Sequence, residues 1–155
     1  MEYLPVNIRI KERQILIVGG GNVATHKAQI LHRFTNRVTV IAPEISAGIK
    51  ALPFQWKEKP IEPQDLDGID VLFVCTGDHT LNREIKEWAD ERHLLTSVCD
   101  NPPLCEFTSP AIWKEDRDEG ALTIAVASDA KDVKRSIRVR NRIQSLIDNG
   151  LLSLE

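Results

Sequence analysis

Short apolar runs alternate with stretches of helical spacing through the first two thirds of this chain. Gln14-Ile15-Leu16-Ile17-Val18 is apolar after its first residue and ends in three glycines. That pattern predicts a strand buried on both faces, as in a parallel sheet. Residues 22–33 follow with Val23, Ala28, Ile30 and Leu31 at helical spacing. Residues 37–42 are rich in β-branched side chains and stop at Pro43, predicting a second strand. Residues 54–57 predict a third, shorter strand, 71–75 a fourth, 81–92 a helix and 94–98 a fifth strand. Strands alternating with helices predict an α/β, Rossmann-like doubly wound parallel sheet.

The pattern changes after Cys99. Asn101-Pro102-Pro103 breaks the chain. Residues 107–113 and 121–127 predict two strands joined by the acidic turn 115–120, and 130–148 a final helix. A hairpin after a parallel sheet suggests a separate module. The expected division is a nucleotide-binding Rossmann domain over 1–112 and a second segment over 113–155.

Length and composition narrow the class. At 155 residues the chain fits one domain, or one with an appendage. A chain this long needs no disulfide or metal to fold. Cys75, Cys99 and Cys105 form neither an even set nor a CxxC pair, so reduced thiols in a cytoplasmic protein are expected. The start lacks a signal peptide, and no run reaches the roughly 18 apolar residues of a membrane span. A net charge of −3 argues against general nucleic-acid binding. His26, His32, His79 and His93 lack metal-ligand spacing, so no metal ligands are assigned. Trp56, Trp88 and Trp113 read as core or interface aromatics.

The sharpest motif is Gly19-Gly20-Gly21-Asn22-Val23-Ala24, which fits G-x-G-x-x-A. Gly19 permits the tight turn, Gly21 lets backbone approach a diphosphate, and Ala24 lets helix and strand pack closely. The helix start offers free N–H groups and a positive dipole end. The loop lies between a predicted strand and a predicted helix, as a dinucleotide site requires. An acid about 20 residues on usually holds the ribose of NAD. Glu44 stands near that distance, just past Pro43, with no arginine nearby for a 2′-phosphate. NAD is therefore expected over NADP; a solvated loop acid is the other reading of Glu44.

Ligands of open α/β sheets sit beyond the carboxyl ends of the strands. Thr76, Gly77 and Asp78 are expected there beside the cofactor, and Asp100 where a substrate meets it. His79 lies on the same edge. Asp100 also precedes Asn-Pro, where an acid often serves a turn.

These stretches carry a family resemblance. The opening Tyr3-Leu4-Pro5-Val6, the loop just described, Lys27-Ala28, and Val98-Cys99-Asp100 followed by Phe107-Thr108-Ser109-Pro110-Ala111-Ile112 together resemble the precorrin-2 dehydrogenase and sirohydrochlorin ferrochelatase family of siroheme synthesis. The resemblance spans roughly residues 1–147. It implies NAD-dependent oxidation of precorrin-2 to sirohydrochlorin, with Fe²⁺ as a further substrate in some members. It also implies a homodimer built through the segment after the Rossmann domain, making 113–155 a dimerisation hairpin with a truncated helical region. Asn22, Val23, Pro43 and Glu44 match family positions at the cofactor, and Asp100 matches the acid central to the chemistry. The chain departs from the family at residues 128–133, where members carry Gly-x-Ser-Pro. It also ends where members continue with a larger helical region. Both departures bear on substrate enclosure and metal insertion rather than on the NAD site.

The last predicted helix is basic. Lys131, Lys134, Arg135, Arg138 and Arg142 follow three-and-four spacing, opposite Val133, Ile137, Ile143, Leu146 and Ile147. A solvated amphipathic face explains this. So does a wall for a polycarboxylate substrate such as a tetrapyrrole, since arginine forks bind carboxylates. Ser128, Lys134, Arg135 and Arg138 are the substrate-binding candidates, with Ser128 also a candidate cap. Besides the dehydrogenase, two readings stand: a non-catalytic NAD-sensing Rossmann module, and a chelatase without the oxidation.

Overall fold

The computed structural model describes residues 1–117 and 120–154. It forms two compact units: Ile8–Phe107, and Met1–Asn7 together with Thr108–Glu155. The division falls at 107/108 rather than 112/113, and the first seven residues join the second unit. Phe107 explains the earlier boundary, for its ring packs edge-on to Phe73 at 5.3 Å inside the first unit.

In that unit, β1 (Ile15–Val18), β2 (Val38–Ala42), β3 (Gln55–Glu58), β4 (Val71–Val74) and β5 (Leu95–Val98) form one sheet in the order β3-β2-β1-β4-β5. Every pairing is parallel. The chain winds outward from β1 through β2 to β3, then returns to place β4 and β5 on the other side. The switch point therefore lies between β1 and β4, where such sheets bind ligands.

Alternation along β1 builds the double layer. Ile15 and Ile17 point into one cluster with Ala24, Ala28, Val40 and Phe73. Leu16 and Val18 point into the other with Leu72, Val74, Ile85 and Ala89. Helix α1 (Asn22–His32) supplies the small alanines of the first cluster, and α3 (His79–Glu91) covers the second. A strand buried on both faces must read as an unbroken apolar run, which is why β1 and β4 were legible.

The short α2 (Ala47–Lys50) was not anticipated; Ser46 caps it by accepting from the Ile49 N–H. Helix α3 begins two residues earlier than expected because Asp78 caps it, accepting from Thr80 and Leu81 N–H at 2.9 and 3.0 Å. Trp56, read as a core or interface aromatic, lies on edge strand β3 and is 42% exposed, with Lys50 Nζ 5.0 Å over its ring.

The second unit contains the antiparallel pair β6 (Ala111–Lys114) and β7 (Thr123–Val126), covered by α4 (Val133–Asp148). The hairpin was expected; part of its acidic turn, residues 118–119, lies outside the described residues. The first strand starts at Ala111, not 107. Helix α4 starts at Val133, not 130, because Asp129 and Ala130 hold left-handed φ values of 57° and 59°. Lys131 consequently sits in the turn before α4, paired with Asp129 and Glu2.

The expected apolar face of α4 is also corrected. Val133 and Ile137 are exposed. The inward line runs through buried Ser136, then half-buried Arg140, Ile143 and Ile147. Arg140 turns inward because its guanidinium donates to the Ile112 carbonyl at 3.0 Å. Among the described residues, no helix is long and apolar enough to cross a membrane.

Candidate functional site

A cleft of about 960 Å³ opens at the carboxyl ends of β1, β2 and β4, within the size class of small-molecule sites, roughly 300–1,000 Å³. Four segments line it, three of which carry the sequence candidates. The first is the glycine loop, Gly19, Gly20 and Gly21; the second includes Pro43 and Glu44 after β2. The third is the turn from β4 into α3: Cys75, Thr76, Gly77, Asp78 and His79.

Each glycine of the loop answers a different demand. Gly19 holds φ +125°, and a methyl group there would fall 2.5 Å from the Cys75 carbonyl oxygen. Gly20 occupies a variable position of G-x-G-x-x-A, yet it is the tightest of the three. A methyl group on it would fall 1.8 Å from the Glu44 carbonyl oxygen. The Gly20 carbonyl also accepts from the Ser46 N–H at 3.0 Å, stitching the loop to the turn after β2. A methyl group on Gly21 would meet nothing within 4 Å. That space, at the start of α1, lets a ligand approach the backbone.

The helix starts differ in the same sense. Asp78 caps α3 and Asp132 caps α4 with side-chain carboxylates, and Ser46 caps α2 with its hydroxyl. Helix α1 has Gly21 as N-cap, no side-chain cap and no acid in its first turn. Its first N–H groups and positive dipole end are left for an external anion. A diphosphate fits this cradle. Val23 is exposed beside this cradle, and Ala24 is buried in the core. Thr25 braces the loop by donating to the Gly21 carbonyl at 2.9 Å and meeting Ser46 Oγ at 2.7 Å.

Glu44 is exposed on the cleft wall, and the described lining residues include neither lysine nor arginine. Such a wall suits ribose hydroxyls better than an additional phosphate. Asp78 lines the cleft too, but its carboxylate is engaged in capping α3. Pro60, Ile61, Thr80 and Leu81 also line the cleft and were not foreseen. Only the parallel pairing of β3 and the early start of α3 bring them there.

Asp100 lies just past β5. Its Oδ2 is 3.3 Å from His79 Nδ1, and its Oδ1 accepts from Asn82 Nδ2 at 3.5 Å. Buried Asn82 also donates to the Thr76 carbonyl at 3.2 Å and accepts from the Thr76 hydroxyl. A polar chain thus runs from the cleft wall at Thr76 through Asn82 to Asp100, and back through His79 to the cleft. Asp100 does not itself line the cleft; His79 joins the two. Asn82 was missed because its spacing read as an ordinary position on a helix.

The remaining candidates lie in the second unit. Lys134, Arg135 and Arg138 are exposed on α4. Ser128 uses its hydroxyl internally, accepting from the Asp132 N–H at 3.1 Å and from Ser136 Oγ at 2.9 Å. It therefore braces the turn before α4, while Asp132 is the cap. Among the described residues, no three His, Cys, Asp or Glu side chains converge as a metal site.

Siroheme synthase 1 of Cronobacter sakazakii is 34% identical over an alignment covering 97% of this chain and 32% of that protein. Siroheme synthase of Photorhabdus laumondii is 32% identical with the same coverage. The chain thus spans about a third of the length of these curated relatives. Among solved structures, SirC, a precorrin-2 dehydrogenase, superposes with a TM-score of 0.77 at 24% identity, covering 92% of this chain and 70% of that one. The model of a family described as "Putative NAD(P)-binding" matches residues 6–111, and with its glycine loop, uncapped first helix and parallel sheet the chain belongs to that NAD(P)-binding family.

Proposed function

We propose that this chain oxidises precorrin-2 to sirohydrochlorin, with NAD as hydride acceptor. One observation carries the reading. The uncapped start of α1 opens on a cleft lined by His79, and behind His79 stands the Asp100 carboxylate, held by His79 and Asn82. The siroheme synthase relatives and the fold of SirC support it.

The residues divide the work. N–H groups at Gly21, Asn22, Val23 and Ala24 hold the diphosphate. Glu44 accepts hydrogen bonds from ribose hydroxyls, which favours NAD over NADP. Pro43, Thr76, Gly77 and Asp78 shape the walls, with Gly19 keeping the β1 turn tight. NAD, when bound, supplies the acceptor for a hydride. Loss of a hydride from the macrocycle leaves a proton to be removed, and Asp100 is the base that takes it. The same carboxylate suits removal of pyrrole protons if Fe²⁺ is a further substrate. Lys134, Arg135 and Arg138 are proposed to pair with substrate carboxylates, while Ser128 braces the turn before their helix.

A homodimer belongs to the same proposal. The described residues of the second unit bury no apolar side chain, while Val133, Ile137, Leu151 and Leu152 stand exposed. A second copy of that unit would cover them. The three cysteines are free, which suits a reaction in the cytoplasm.

Anaerobic incubation with precorrin-2 and either NAD⁺ or NADP⁺, followed by visible absorption, tests the reading. Sirohydrochlorin should form with matching production of NADH, and faster with NAD⁺. Binding of NAD without any product would overturn the dehydrogenase and leave a nucleotide sensor.

A further inference from the structure

Cys75 and Cys99 follow the last residues of adjacent parallel strands, one rung beyond the pair Val74–Val98. The ladder continues through that rung, with the Cys99 N–H donating to the Val74 carbonyl at 2.9 Å. Neighbouring strands lie about 4.8 Å apart, inside the range of Cα separations that a disulfide spans, roughly 4.4–6.8 Å. Both side chains point to the same face, and their sulfurs are 2.7 Å apart. Both cysteines are free thiols in this structure. Cys105, the third cysteine, is committed elsewhere: its sulfur accepts from the Val98 N–H at 3.1 Å and meets the Val98 carbonyl at 3.2 Å.

We propose that Cys75 and Cys99 form a reversible disulfide on reaction with a low-molecular-weight disulfide, and that this bond weakens nucleotide binding in the adjacent cleft. The second half rests on the nucleotide reading above; the first half does not.

The two thiols are unequal in a useful way. Cys99 is half-buried, whereas Cys75 is 9% exposed. The hydrogen bond from Cys75 holds the Cys99 thiol below its ordinary range, against burial and with help from the Lys27 charge. The hydrogen bond to Cys99, then burial, pushes Cys75 far up. Cys99 is therefore the attacking thiolate. Its sulfur attacks one sulfur of the small disulfide, forming a mixed disulfide and expelling one small thiolate. That step removes the hydrogen bond to the Cys99 sulfur that holds the Cys75 thiol protonated. Cys75 then gives its proton to solvent and attacks the Cys99 sulfur, expelling the second small thiolate. The protein dithiol loses two electrons, and the small disulfide gains them as two thiols.

The bond would lie at the base of the site. Cys75 lines the cleft, its carbonyl is the group that Gly19 must avoid, and Asp100 follows Cys99 directly. Tying the two strand ends together fixes the backbone from which Thr76 and Asp100 project.

Purified reduced protein would be treated with oxidised glutathione. Peptide mass spectrometry would map the linkage, and calorimetry would measure NAD affinity before oxidation, after it, and after dithiothreitol. The expected result is a Cys75–Cys99 linked peptide, a free Cys105 and NAD binding weakened roughly fivefold or more, with recovery on reduction. Cys99→Ser should show the same affinity before and after the oxidant. Three free thiols, stable mixed disulfides only, or a link through Cys105 would overturn the pairing. A Cys75–Cys99 bond with unchanged NAD affinity would overturn the control of the site. Failure of the reduced protein to bind NAD would count against the nucleotide reading and, with it, against that control, while leaving the pairing to stand or fall by the mass map.

Discussion

The two units of this chain solve the problem of burial in opposite ways. Ile8–Phe107 holds every buried apolar side chain found among the described residues, from Ile15 to Val98. Among its described residues, the unit of Met1–Asn7 and Thr108–Glu155 has one buried residue, Ser136, and it is polar. The first unit can be stable from its own core, and it carries the cleft. The second has secondary structure and hydrogen bonds but little of the burial that drives folding. The contrast teaches that a regular hairpin and helix are no proof of a self-sufficient domain.

The largest test of the contrast is a matched pair of truncations. Leu72→Ala, fully buried in β4, should cost about 2–5 kcal/mol, read by urea unfolding. Ile137→Ala, 40% exposed on α4, should cost roughly 0.5 kcal/mol or less at dilutions where the protein is monomeric. Ile137→Asp should leave that monomer folded yet lower the mass seen by sedimentation at high concentration. Equal losses for Leu72→Ala and Ile137→Ala in the monomer would erase the distinction between the units.

Next come two glycines side by side. Gly20→Ala forces a methyl group onto the Glu44 carbonyl and should cost about 1–3 kcal/mol or more, with NAD binding lost as the loop shifts. Gly21→Ala meets open space and should change stability by about 0.5 kcal/mol or less, while still weakening NAD because the methyl group occupies the cradle. Thermal melts and calorimetry separate the two; similar melts for both variants would refute the assignment.

A smaller effect is expected in the second unit. Ser136→Ala removes a hydroxyl that donates to Ser128 Oγ, with the Asp132 carbonyl also in reach. A loss of about 1 kcal/mol is expected, read as faster hydrogen exchange at the start of α4. Unchanged exchange would mean that this turn is held by other contacts.

The smallest effect depends on pH. Backbone N–H groups of Glu2, then Tyr3, together with Lys131, hold the Asp129 carboxyl below its ordinary value. A group with a lowered folded pKa stabilises above its unfolded pKa, about 3.9, and that contribution fades as pH falls through the folded value. The segment Met1–Asn7 should therefore loosen from its unit in acid, below about pH 4. Amide signals of Glu2 and Tyr3 followed by NMR down this range would report it. No movement there, with the rest of the unit intact, would contradict the anchoring role.

What the sequence made legible follows the same division. β1 and β4 were plain because double-sided burial writes continuous apolar runs, and β2 because its residues are β-branched up to Pro43. The glycine loop was plain because its constraints are local. The tightness of Gly20 was not, since it comes from Glu44, brought beside it only by strand pairing. Asn82 was missed for a similar reason: its partners Thr76 and Asp100 come from two different strand ends. In α4 the periodicity misled. Val133 and Ile137 looked like core positions, yet Arg140 takes the inward line by reaching a hairpin carbonyl. Without a filled core, apolar spacing no longer says which face points inward.

The proposed oxidation needs both the nucleotide cradle and the Asp100 carboxylate. Its most direct test compares the intact protein with Asp100→Asn in one anaerobic experiment, measuring NAD affinity and the rate of sirohydrochlorin formation together. Equal NAD affinity and a rate reduced at least about a hundredfold in the variant are expected. Full turnover by Asp100→Asn, or loss of NAD binding in step with turnover, would contradict it.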